Sequence, residues 1–129
     1  MRFLFRSVLA FCVGTVFASA GVAADSNPFF QASTLQYQAP PFDKIKDADY
    51  APAIEEGMKR QLAEIDAIAN DPAPPTFANT LEAIERSGEL LTRVTKVFFN
   101  LAQSNTDDAM QAIRAHLAPK LAAHQDAII

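Results

Sequence analysis

The sequence has 129 residues and a mass of 14.0 kDa, enough for one domain at most. Half of the residues are apolar, a fifth are charged, and Gly plus Pro number only 12, which excludes disordered and collagen-like chains. A single cysteine excludes a disulfide framework and a four-cysteine zinc knuckle, and 11 basic against 15 acidic side chains argue against a nucleic-acid partner.

The chain opens with Arg2 and Arg6 around a short positive start, followed by an apolar run from Val8 to Phe17 and small residues at Ala18-Ser19-Ala20 and Ala23-Ala24. This is the order of a secretory signal peptide over residues 1–24, with cleavage after Ala20 or after Ala24. The run is too short to cross a bilayer core of about 30 Å as a helix, so no stable membrane span is expected after cleavage. Export to the bacterial periplasm follows as the expected location. Cys12 lies inside the run behind the bulky Phe11, which argues against a lipid-modified cysteine, and it leaves with the leader. With Asp25 as the start, 9 basic and 15 acidic side chains remain, for a net charge of −6 and no cysteine.

Residues 25–48 read as an extended arm. Asn27-Pro28 and Pro40-Pro41 break helical periodicity, and Phe29, Phe30, Leu35, Tyr37 and Phe42 are available to tack the arm onto a neighbouring surface. Alternation at Leu35, Tyr37 and Ala39 allows a short strand that Pro40 would end.

From residue 49 to 129 the pattern is helical. A first helix is expected over about 50–69, capped by Asp49, with Pro52 in its first turn and Asp71-Pro72 closing it. Ile54, Met58, Leu62, Ile65 and Ala69 form its apolar face. Glu55 with Lys59, and Glu56 with Arg60, stand in the favourable order for ion pairs one turn apart. Pro72, Pro74 and Pro75 make a rigid connector. Thr76 can cap a second helix from Phe77, with Asn79 and Glu82 as the alternative reciprocal cap. Leu81, Ile84, Leu90, Val94, Val97 and Leu101 carry its inward stripe, and Ser87-Gly88 makes either a kink or a break into two helices. Phe98 and Phe99 point about 100° apart, so both are buried only if neighbours cover two sides.

The last helix is expected after Thr106 as cap, with Asp107 and Asp108 at its positive start. Met110, Ile113, Leu117, Leu121, Ala122 and Ile128 give its apolar face, and Pro119 removes the bond to Ala115 and bends it. The final Ala127-Ile128-Ile129 carries no stop signal, which reads as a partial helical domain truncated at its C-terminal end.

Chemistry is sparse. His116 and His124 are eight residues apart, about 12 Å along a straight helix, too far to share a zinc ion. No H-E-x-x-H is present, and His124-Gln125-Asp126-Ala127-Ile128 lacks both the glutamate and the second histidine. Asp43, Asp47 and Asp49 lack the spacing of a calcium loop. Glu82 and Glu85 have Arg86 and Arg93 as ordinary surface partners, and Ser87-Gly88 is no nucleophile elbow. No catalytic, cofactor-binding or metal-binding residue is assigned.

The blocks Gln38-Ala39-Pro40-Pro41-Phe42-Asp43-Lys44-Ile45-Lys46, Asp49-Tyr50-Ala51-Pro52-Ala53 into Gly57-Met58, and Ile65 to Pro72 share their order with a known family. So do Pro75 to Thr80, Glu85-Arg86-Ser87-Gly88, Val97 to Leu101 and Ala118 to His124. Together, over residues 27–129, they resemble the amino-terminal region of M3-family zinc metallopeptidases, in the peptidyl-dipeptidase Dcp branch beside oligopeptidase A. The resemblance implies an all-α chain, amphipathic antiparallel helices after an extended arm, cut from a larger two-lobed helical peptidase. In that family one zinc ion is held by the two histidines of H-E-x-x-H and a later glutamate, and dipeptides are released from the carboxyl end of short unfolded peptides. None of those groups maps onto this sequence, so no zinc is expected in this segment. The catalytic lobe would be its missing partner, and the segment itself would wall the substrate channel, inactive alone. The competing reading is an independent exported helical module that binds peptide or protein.

Overall fold

The computed structural model describes residues 27–128. The leader expected at residues 1–24, Cys12 within it, the first two residues of the arm and Ile129 lie outside the described residues. All regular structure among the described residues is helical, with no strand. Four helices follow the arm: α1 (Asp47–Ala69), the short α2 (Ala83–Arg86) behind a π-helical turn over Phe77–Glu82, α3 (Glu89–Ser104) and α4 (Asp108–Ile128).

The arm carries two 3₁₀ turns, Pro28–Phe30 and Gln36–Gln38, and the alternating stretch is not a strand. Tyr37 and Gln38 take positive φ values of 58° and 55°, which a strand does not permit. Of the arm's large apolar side chains only Phe29 is buried; Phe30 is half-buried under the Arg60 guanidinium, and Leu35, Tyr37 and Phe42 are exposed. What fastens the arm is polar as well as apolar. The Asn27 side-chain amide donates to the Asp49 carbonyl at 2.8 Å, and Arg93 Nη2 on α3 donates to the Phe29 carbonyl at 2.8 Å.

Helix α1 starts at Asp47, earlier than expected, because Asp49 acts from inside the first turn: its carboxylate accepts the Lys46 N–H at 2.8 Å. Asp49 is therefore the third helical residue and not the cap. Pro52 consequently sits in the helix interior, where it removes the bond to the Ala48 carbonyl. At the far end, the Asn70 backbone and side-chain N–H groups both donate to the Asp66 carbonyl.

The core lies between α1 and α3. Tyr50 and Phe98 meet at 5.2 Å between ring centroids, with Phe29 stacked on the other side of Tyr50 at 5.3 Å. One end of α1 thus faces the end of α3, while Gly57 faces Leu91 and Gln61 faces Gly88, so the two helices run antiparallel. Gly57 has a packing reason: a β-carbon there would stand 2.9 Å from the Leu91 backbone. Val94 and Ile54 fill the space between these contacts, both fully buried.

Gly88 settles the second helix as a break. It adopts φ 71°, the left-handed region that suits glycine, and the chain turns there from α2 into α3. Leu81 and Ile84, expected to face inward, are 56% and 42% exposed. Their unit lies alongside Ile65 and Ile68 near the end of α1, and among the described residues no further helix closes over it. Phe98 is fully buried and Phe99 only half-buried, edge-on to it at 5.3 Å.

Helix α4 is capped by Asp107 and not by Thr106. Asp107 Oδ1 accepts the Met110 N–H at 2.8 Å, while the Thr106 hydroxyl accepts from the Gln111 side chain. Met110 and Leu117 seat α4 in the core; Ile113 and Leu121 are half-buried and Ala122 is exposed. The helix continues through Pro119. Glu55 reaches Lys120 and Gln61 reaches His124, so α4 runs parallel to α1.

Candidate functional site

The residues with chemistry in them gather on the seam between α1 and α4. Glu55 was expected to pair with Lys59; instead its carboxylate accepts from Lys120 Nζ, with His116 Nε2 3.5 Å away. The reason is position: Glu55 lies on the side of α1 that α4 covers, whereas Lys59 points outward and takes Glu56 at 3.6 Å beside the Glu56–Arg60 pair at 2.8 Å. The bond from Lys120 holds the Glu55 carboxyl below the usual range, and the bond from Arg60 does the same for Glu56.

One turn beyond Lys120, His124 is almost completely buried and its Nε2–H donates to Gln61 Oε1 at 2.8 Å. Its Nδ1 is enclosed and has no hydrogen-bond partner among the described residues. Burial pushes the imidazole pKa down, so the ring is neutral at pH 7. Gln61 also lies under Gly88, and Glu64 Oε2 accepts the Gly88 N–H at 2.7 Å, so α1, α3 and α4 meet at this point. Next to it is an open hollow of about 620 Å³ lined by Gln61, Thr95, Lys96, Phe99 and His124 among others. Sequence reading gave His124 a structural or solvated place and no catalytic or metal role, and the glutamine that holds it carried no signal.

The remaining sequence candidates do not assemble. Asp43 lies in an exposed turn, Asp47 opens α1, and Asp49 is committed to its backbone bond. Glu82 pairs with Arg86 as expected, but Arg93 goes to Glu89 at 3.5 Å and to the arm carbonyl. A second open hollow, of about 390 Å³, lies between the end of α1 and the π-helical turn and is lined by Ile65, Ile68, Pro75, Asn79 and Ile84 among others. Tyr50 contributes no acid or base near neutrality, since burial and then the Asp47 and Asp49 carboxylates raise its phenol pKa.

A zinc site is not built from these residues. Among the described residues, no group of three or more His, Cys, Asp and Glu side chains is placed to hold a metal ion. His116 Nε2 faces the Lys120 ammonium at 2.9 Å, a cation where a metal would have to approach, and His124 Nε2 is occupied by Gln61. No described helix is long and apolar enough to cross a membrane.

No family model matches the chain. Over 98 residues it is 49% identical to the dipeptidyl carboxypeptidase of Salmonella typhimurium strain LT2, and over 96 residues it is 50% identical to the dipeptidyl carboxypeptidase of Escherichia coli strain K12. These alignments take in 76% and 74% of this chain but only 14% of each relative, so the chain spans a small part of the length of the curated proteins it matches. Over that part, it is homologous to the dipeptidyl carboxypeptidases, as the order of its sequence blocks implied.

Proposed function

We propose that residues 27–128 form part of the helical wall around the substrate channel of an exported zinc peptidyl-dipeptidase, and that they hydrolyse nothing on their own. The observation carrying this reading is the near-half identity to two dipeptidyl carboxypeptidases across most of the chain, joined to an all-helical packing without a metal-ligand cluster. Uncovered apolar side chains support it: Phe77, Leu81 and Ile84 on the 77–86 unit are 74%, 56% and 42% exposed, and Leu62 on α1 is 39% exposed. Surfaces of that kind are common where a protein leans on further protein. In this reading zinc and the groups that work on it belong to the portion of the relatives that this chain does not align with. The substrates are short unfolded peptides, and the leader pattern at residues 1–24 directs the product to the periplasm.

Two experiments test it. The 129-residue chain, supplied with zinc and a short peptide, should show no turnover; chelator-sensitive hydrolysis overturns the inactivity. A chimera of the Escherichia coli relative carrying residues 27–128 in place of its aligned segment should cleave dipeptides from peptide substrates. A folded chimera without activity overturns the wall assignment.

A further inference from the structure

We propose that protonation of His124 releases the C-terminal part of α4 from α1, making this seam a pH-sensitive joint. The inference goes beyond the peptidase reading and does not depend on it. Neutral His124 makes one bond, Nε2–H to Gln61 Oε1 at 2.8 Å, and leaves only the weaker demand of the Nδ1 lone pair unmet among the described residues. The imidazolium carries a second N–H at Nδ1, which is enclosed and has no acceptor among the described residues, and it adds a positive charge to a buried ring.

The groups facing the ring from each helix are consistent on this point. On α1, Glu55 is committed to Lys120 and His116, and Glu64 to the Gly88 N–H. On α3, Lys96 lines the hollow next to the ring and is itself a cation. On α4, Lys120 lies one turn back and Asp126 is exposed. Among the described residues, none of these carboxylates makes a hydrogen bond to the ring, whose one partner is Gln61.

The helix is divided so that this charge acts locally. Met110 and Leu117 hold the first part of α4 in the core, whereas beyond Pro119 His124 is the one buried side chain and Leu121 and Ile128 are half-buried. Pro119 lacks the N–H that would tie it to Ala115, so the backbone between the two parts is short of one bond. The sign follows from burial, which lowers the pKa of the docked ring. Docking is at full strength above the ordinary histidine value of about 6.5 and weakens as pH falls through that value towards the depressed one.

The test is hydrogen exchange of the 129-residue chain at about pH 7.5 and about pH 5, corrected for intrinsic rates, with an NMR titration of the His124 ring. Protection over residues 120–128 should fall roughly threefold or more at the lower pH, and the ring should titrate below the ordinary value. His124→Gln, which keeps a donor for Gln61 but cannot charge, should abolish the difference, while His116→Asn should retain it. Absence of protection over 120–128 at the higher pH overturns the proposal, as does a response unchanged in His124→Gln. If that variant does not fold, a wild-type ring titrating at or above the ordinary value overturns it equally.

Discussion

Gly57 shows how much one missing carbon matters. A β-carbon there would lie 2.9 Å from both the backbone nitrogen and Cα of Leu91, atoms that cannot move without shifting α3. Gly57→Ala should therefore destabilise the chain by about 1–3 kcal/mol, read as a lower urea midpoint. Gly88→Ala is governed by a different cause, the left-handed φ of 71°, because its steric neighbour is the flexible Gln61 side chain. Its expected cost is about 1–2 kcal/mol. Phe98 and Phe99 make a second contrast. Phe98→Ala empties a fully enclosed position between Tyr50 and Phe99 and should cost about 3–5 kcal/mol, whereas Phe99→Ala, at a half-buried position beside the open hollow, should cost clearly less in the same denaturation series. The 3.6-residue period placed Val94 and Val97 on the covered side of one helix and left open which of Phe98 and Phe99 is enclosed. It did not reveal that Gly57 is a contact point, since a glycine inside a helical pattern is equally consistent with tolerance.

At the level of elements, the helices themselves were legible because apolar residues recur at helical spacing over α1, α3 and α4. Boundaries shifted where an acidic side chain takes a backbone N–H other than the expected one: Asp49 works as the third residue and not as the cap, and Asp107, not Thr106, accepts the Met110 N–H. The side on which Glu55 pairs was not legible, because the choice between Lys59 and Lys120 is made by helix docking and not by local spacing. The unit over residues 77–86 is the least supported element, with Thr76 and Asn79 exchanging bonds at 2.6 and 3.2 Å as its principal anchor. Thr76→Ala should accordingly raise amide exchange across residues 77–86 while leaving the main unfolding midpoint almost unchanged, since the enclosed α1–α3 core does not include this unit.

For the whole molecule, the balance is between one well-packed helix pair and surfaces that nothing in the described structure covers. Tyr50, Ile54, Val94, Phe98 and Leu117 form a true interior, but Leu35, Tyr37 and Phe42 on the arm, Leu62 on α1, and Phe77, Leu81 and Ile84 on the 77–86 unit leave apolar area in water. A chain of this size with such a divided surface should be marginally stable and should self-associate as its concentration rises. Light scattering alongside thermal melts checks this; a cooperative melt of a strict monomer, unchanged over a wide concentration range, contradicts it. The joint at His124 was not legible in the sequence, because Gln61 and His124 come together only through the parallel docking of α1 and α4.

The antiparallel clasp of α1 and α3 has a practical consequence for anyone handling the protein. The segment between them, from Asn70 to Ser87, is largely exposed and rich in proline, while the arm and α1 on one side interlock with α3 and α4 on the other through Phe29, Tyr50, Phe98 and Leu117. A protease nick in that segment should leave two pieces that stay together on a sizing column and part only in denaturant. Split-chain reconstitution is thus a natural way to label one half of the helix pair without touching the other.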